Sequence, residues 1–124
     1  MRLLLDTNVL IWWLEGDRLS PEVVERLEAT GTNTAVSAAT LWEIEIKRTL
    51  GKLDAPDDVL DQVAASGFGQ LPITAAHAVA AGRLPRHHDD PFDRMLIAQA
   101  LAAQRTIVTR DRRFEQYGVA IAEA

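Results

Sequence analysis

Short apolar runs, each leading into a stretch with helical periodicity, constrain this chain more than any other feature. Leu3-Leu4-Leu5 comes first and Thr106-Ile107-Val108-Thr109 late, and neither has the alternation of a half-solvated strand. Such runs read as strands buried on both faces, the pattern of parallel sheets covered by helices. Thr34-Ala35-Val36-Ser37, Leu71-Pro72-Ile73-Thr74 and Val119-Ala120-Ile121 supply further candidates. Strands alternating with helices form βαβ units. The expected fold is therefore α/β, a three-layer sandwich around a central, mostly parallel sheet of four to five strands flanked by helices.

Caps and breaks outline the helices. Asp6-Thr7-Asn8 can cap a helix that reads Val9-Leu10-Ile11-Trp12-Trp13-Leu14 and stops near Gly16. That helix is apolar all round, whereas a sheet covers one face only. The rest is either buried within the monomer or a partner surface. Ser20-Pro21-Glu22 opens a second helix that runs to a break at Gly31. Residues 38–50 carry a third, ended by Gly51, and Pro56-Asp57-Asp58 opens a fourth that ends near Gly67. An alanine-rich helix over about 75–82 precedes a polar loop at 84–90 that holds His87 and His88. Asp90-Pro91 then opens the helix carrying Phe92, Met95, Leu96, Ile97 and Leu101. No repeat or long linker divides residues 1–124, so a single domain is expected.

The sequence contains no cysteine, which excludes a disulfide framework, a thiolate metal site and cysteine nucleophile chemistry. No apolar stretch reaches the length of a membrane span and no signal peptide is expected, and the lack of cysteine fits a reducing cytoplasm. A formal charge of −5 argues against a dedicated nucleic-acid binder if only the sum is considered. The distribution matters more. Lys47, Arg48, Lys52, Arg83, Arg86, Arg94, Arg110, Arg112 and Arg113 lie in the same segments as the key acids. They form either a phosphate-holding rim or ordinary solvated helix faces. Arg94, Arg110 and Arg112 are the candidates for steadying a substrate backbone.

Asp6 ends the first strand run and Asp111 follows the fourth. Open α/β sheets bind ligands beyond the carboxyl ends of their strands, where both aspartates fall. Glu43 lies one turn into the helix that leaves the second strand, and Asp93 lies in the first turn after Asp90-Pro91. Four crowded carboxylates repel one another, and a hard divalent cation such as Mg²⁺ is the simplest remedy. Each acid also has a plainer explanation. Asp6 and Asp111 can cap the helices that follow them, although Thr7 or Asn8 could replace Asp6 in that role. Glu43 and Lys47 have the spacing of an ordinary surface ion pair. Asp90 has the position of a cap, which leaves Asp93 without one. His87 and His88 read as solvated or RNA-contacting side chains rather than metal ligands, and Trp12, Trp13 and Trp42 as core or interface residues.

Four blocks follow in order: Leu5-Asp6-Thr7-Asn8-Val9-Leu10, Thr40-Leu41-Trp42-Glu43-Ile44, Asp90-Pro91-Phe92-Asp93-Arg94 and Val108-Thr109-Arg110-Asp111. Together they resemble PIN domains of the VapC type, the toxins of prokaryotic toxin–antitoxin pairs. The resemblance covers almost the whole chain. It implies a Mg²⁺- or Mn²⁺-dependent endoribonuclease that hydrolyses RNA phosphodiesters with metal-activated water. It places acidic ligand roles on Asp6, Glu43, Asp93 and Asp111 and supporting roles on Asn8 and Thr109; Asp6 and Asp93 are the expected direct ligands, with Glu43 and Asp111 binding a second ion or holding metal-bound waters. It further implies a homodimer and a cognate VapB-type antitoxin. Rival readings fit less well. A haloacid-dehalogenase-type phosphatase needs a second aspartate where Asn8 stands, and a receiver domain needs a late lysine where Arg110-Asp111 follows the strand. A pure interaction module would leave the acids as caps.

Overall fold

A computed structural model describes residues 2–30 and 33–124. The strands are β1 (Leu3–Leu5), β2 (Thr34–Ser37), β3 (Gly69–Leu71), β4 (Thr106–Thr109) and β5 (Ile121–Glu123). They form one sheet in the order β3-β2-β1-β4-β5, and every pairing is parallel. The chain builds outward from β1 to β3, then returns and builds outward from β4 on the other side. The order thus reverses between β1 and β4, and that switch point lies beside Asp6.

Successive strand residues face opposite sides, so the apolar runs feed two separate core layers. Leu3, Leu5, Val36 and Val108 meet one set of helices. These are α1 (Thr7–Glu15), α2 (Pro21–Thr30), α3 (Ala38–Thr49) and α4 (Val59–Ala65), which contribute Val9, Leu10, Val23, Leu27, Ile44, Val59 and Val63. Leu4, Ala35 and Ile107 face the other way, onto Leu96, Ile97 and Ala100 of α6 (Pro91–Ala103) and Phe114 of a short 3-10 helix, Arg112–Tyr117. Helix α5 (Ala75–Arg83) packs along α6. The expected sandwich is present, and all five strands are parallel.

Several boundaries differ from expectation. β3 lies earlier than 71–74 because Pro72 has no N–H to give a ladder, and Thr74 is used as the N-cap of α5, accepting from His77 N at 3.1 Å. β5 begins at Ile121, opposite Ile107, because Val119 turns into the core instead. α4 starts at Val59 rather than at Pro56. The expected break at Gly31 lies outside the described residues. α1 is covered mostly from within. Val9 and Leu10 are fully buried, and Trp13 packs on Phe68 at 5.1 Å while donating from Nε1 to Ser66 Oγ at 3.0 Å. Trp42, in contrast, is 62% exposed and meets Phe92 edge-on.

Gln99 joins the layers at the sheet's carboxyl edge. It is fully buried, accepts from Ser37 Oγ at 2.6 Å and donates to Pro72 O at 3.2 Å. Gln99→Leu would strand the buried Ser37 hydroxyl, so a loss of about 1–3 kcal/mol is expected in urea denaturation. Unchanged stability would show that this link contributes nothing.

Candidate active site

The acids gather in a cleft of about 400 Å³ at the switch point, lined by Asp6, Asn8, Glu43, Lys47, Asp93, Asp111 and Arg113, among others. Asp6 leaves β1 and caps α1 through its Oδ1, which accepts from Thr7 N at 2.7 Å. Its Oδ2 accepts from Thr109 Oγ1 at 2.7 Å. Asp6 is therefore both the cap and a wall of the cleft. Burial raises its pKa, the bonds from Thr109 and Thr7 oppose that shift, and the charges of Glu43 and Asp111 add to it.

Glu43 is buried, although spacing alone suggested a surface pair. Its Oε1 accepts from Thr7 Oγ1 and its Oε2 from Lys47 Nζ, each at 2.7 Å. Thr7 was not singled out in the sequence. Its only signal is its place at the first helical position beside Asp6. Asp111 caps the 3-10 helix and is gripped by the Arg113 guanidinium, with contacts of 2.7–3.1 Å. The Arg113 bonds hold its pKa below the ordinary value. Glu43 and Asp111 thus each carry an internal cation.

Asp93 has none. Asp90 caps α6 as expected, accepting from Phe92 N and Asp93 N, which fixes Asp93 in the first turn. Burial first, and then the charges of Asp6, Asp90, Glu43 and Asp111, push the Asp93 carboxyl up to about 7. Asp6 is the strongest acidic influence on it. A shift of that origin marks a site short of positive charge.

His88 was read as a loop side chain in solvent or on RNA, but it is 9% exposed. Its Nε2 lies 2.9 Å from Asp93 Oδ2 and 4.0 Å from Asp111 Oδ2. One ligand-capable atom from each of His88, Asp93 and Asp111 lies within 4.8 Å of the others. Among the described residues no other group meets that criterion, so the four acids share a cleft rather than one tight coordination shell.

The arginine expectations divide. Arg94 does not face the cleft. Its guanidinium donates to the carbonyls of Ala81, Leu84, Pro85 and His88, so it staples the 84–90 loop instead of holding substrate. Arg112 pairs with Glu115 and does not line the cleft. Arg110 does line the cleft, stacked over Trp12 at 4.2 Å and tied to the carbonyls of Ala124 and Arg18. Arg113, mentioned only as part of the rim, meets one of the four acids, Asp111. Asn8 lines the cleft, and Thr109 links Asp6 to the backbone N–H of Asp111.

An all-oxygen acidic set with one carboxyl forced toward neutrality suits a hard divalent cation such as Mg²⁺ or Mn²⁺.

The sequence matches the PIN domain family over residues 3–120, and the chain belongs to that family. Solved structures with the same fold include the DNA-bound VapBC complex of Salmonella typhimurium, at 23% identity and a TM-score of 0.77, covering 99% of this chain and 98% of that one. VapBC2 of Rickettsia felis, bound to a promoter DNA fragment, aligns at 17% identity and a TM-score of 0.75 over 99% and 98% of the two chains. A toxin–antitoxin complex from Klebsiella pneumoniae aligns at 23% identity and a TM-score of 0.63 over 88% and 86%. Among curated proteins no sequence matches significantly. At these identities the structural likeness is one of fold.

The raised Asp93 carboxyl has a consequence for stability. Its unfolded value is about 3.9. Between that value and about 7 the folded chain binds more protons than the unfolded one, so metal-free stability falls as pH rises through this window. Asp6 acts with the same sign. Asp93→Asn removes the repulsion and is expected to stabilise the metal-free protein above pH 7 by on the order of 1–3 kcal/mol. Thermal melts across pH check this, and a lower melting temperature for the variant would contradict it.

Proposed function

We propose that this chain is a metal-dependent endoribonuclease, the toxin of a VapC-type toxin–antitoxin pair. The observation that carries this reading is the placement of Asp6, Glu43, Asp93 and Asp111 around one polar cleft at the switch point of a PIN-family sheet. Asp6 and Asp93 would hold the Mg²⁺ or Mn²⁺ directly, because neither has an internal cation. Glu43 and Asp111 are balanced by Lys47 and Arg113. That division favours one directly held ion. When bound, the cation supplies Lewis acidity toward water and the phosphate and offsets charge developing in the transition state.

The chain's own groups supply the rest. Glu43, fixed by Thr7 and Lys47, and Asp111, fixed by Arg113, remain acceptors that can orient the attacking water. A neighbouring depression lined by Arg86 and His87 shares Asp90, Asp93 and Arg113 with the cleft. It offers a path for a single RNA strand, with Arg86, Arg110 and Arg113 toward the phosphates. Cleavage should then weaken as salt rises.

The partners follow from the same reading. A VapB-type antitoxin would restrain the nuclease. An apolar groove lined by Ile11, Leu14, Ile44 and Val59 is the surface assigned to its apolar segment. A homodimer in bacterial or archaeal cytoplasm completes the picture. No helix among the described residues is long and apolar enough to cross a membrane.

Asp6→Asn and Asp93→Asn are each expected to slow Mg²⁺-dependent RNA cleavage at least about 100-fold, the loss of a few kcal/mol of transition-state stabilisation. Arg112→Ala should cleave at the parent rate. A gel assay of a structured RNA with Mg²⁺, repeated with chelator, separates these outcomes. Parent-like cleavage by Asp93→Asn would remove the assignment.

A further inference from the structure

His88, which lines the neighbouring depression and touches Asp93, is a buried titratable side chain to which neither the family resemblance nor the four-acid reading gives a task. It is held from several sides. Asp90 N–H donates to Nδ1 at 3.1 Å. The ring lies against Phe114, with centroids 6.3 Å apart. The His88 carbonyl accepts from Arg94 Nη1 at 3.3 Å and Tyr117 Oη at 3.4 Å. Arg94 is the residue after Asp93, and Asp90 caps the helix that carries Asp93. The segment 88–94 therefore fixes its histidine and its aspartate against each other.

The bond from Asp90 decides the tautomer. A backbone N–H can only donate, so Nδ1 bears no proton and the neutral ring carries its proton on Nε2. A histidine that ligates a metal through one nitrogen normally donates from the other. Here the other nitrogen accepts, so Nε2 is a donor and not a ligand. Its nearest acceptor is Asp93 Oδ2 at 2.9 Å. The contact is short but bent from the ideal N–H direction, and Nε2 has no better-aligned partner among the described residues. Among the described residues no hydrogen bond engages Asp93 Oδ1.

We propose that His88 is a positioning residue for Asp93. Donating from Nε2, it holds Oδ2 and leaves Oδ1 to the cation, and it never enters the coordination shell itself. The inference rests on the cation-binding reading above. It explains how a carboxylate with four acidic neighbours and no cationic partner keeps one orientation. It also separates His88 from the tight trio it forms with Asp93 and Asp111, in which distance alone would make it a third ligand.

The test uses the full chain with ¹⁵N-labelled histidine, the His88 signals being assigned by their loss in His88→Gln. Expected are an unprotonated Nδ1 and a protonated Nε2, both before and after saturation with Mg²⁺. Loss of the Nε2 proton on Mg²⁺ addition would make His88 a ligand and overturn the proposal. So would the averaged tautomer pattern of a solvated ring. Calorimetry adds a second readout. His88→Leu should weaken Mg²⁺ binding about 10- to 100-fold. His88→Gln, whose amide can accept from Asp90 and donate to Asp93, should recover most of it. Unchanged Mg²⁺ affinity in folded His88→Leu would also overturn the proposal, and the spectra of the parent protein decide the matter if that variant does not fold. If these results hold while the parent cleaves no RNA, the positioning role survives and the nuclease reading alone fails.

Discussion

Repulsion among carboxylates is the constraint around which the rest of this molecule is arranged. Asp6, Glu43, Asp93 and Asp111 line one cleft, and Asp90 stands beside them. Each acid is managed differently. Glu43 receives Lys47 and a threonine hydroxyl, Asp111 receives a guanidinium, and Asp6 receives a hydroxyl and a helix-start amide. Among the described residues Asp93 receives one imidazole contact and no lysine or arginine, and its carboxyl is the one driven to about 7. Unrelieved charge in a folded protein lowers stability, so it persists only where another requirement keeps it. A bound cation is the requirement that matches the donors present.

The sheet order brings these residues together. Reversal between β1 and β4 opens the carboxyl edge where Asp6 and Asp111 emerge. α3 packs on one face of the sheet through Ile44, and α6 packs on the other through Leu96 and Ile97. They meet over the edge, where Trp42 touches Phe92, and so present the adjacent Glu43 and Asp93 to the same space. Gln99 and Arg94 serve that geometry without facing the cleft. One ties α6 to the end of β2, and the other pins the loop that carries His88.

What was legible in the sequence follows from how local each signal is. The runs at 3–5, 34–37 and 106–109 lie in central strands, and their apolar, non-alternating character located them well. β3 and β5 are edge strands whose limits depend on which neighbouring groups can pair, so Pro72 and Val119 misled the reading. The four acids could be found because strand ends and helix starts are local features. Thr7 could not, because a threonine at a helix start acquires meaning only from Thr40 and Glu43, far along the chain; His88 could not, because its burial depends on how the loop folds against Phe114 and the start of α6. Arg94 failed for the same reason in reverse: beside Asp93 in the chain, it points to carbonyls on the far side of its helix.

The central claim is that a cation replaces a proton at Asp93. Calorimetric titration of the metal-free protein with Mg²⁺ near pH 7, in buffers of different ionisation enthalpy, counts the protons released per ion bound. The account predicts one ion per chain and a fractional proton release that disappears well above that pH. Binding with no proton release near pH 7, or no binding at all, would contradict it.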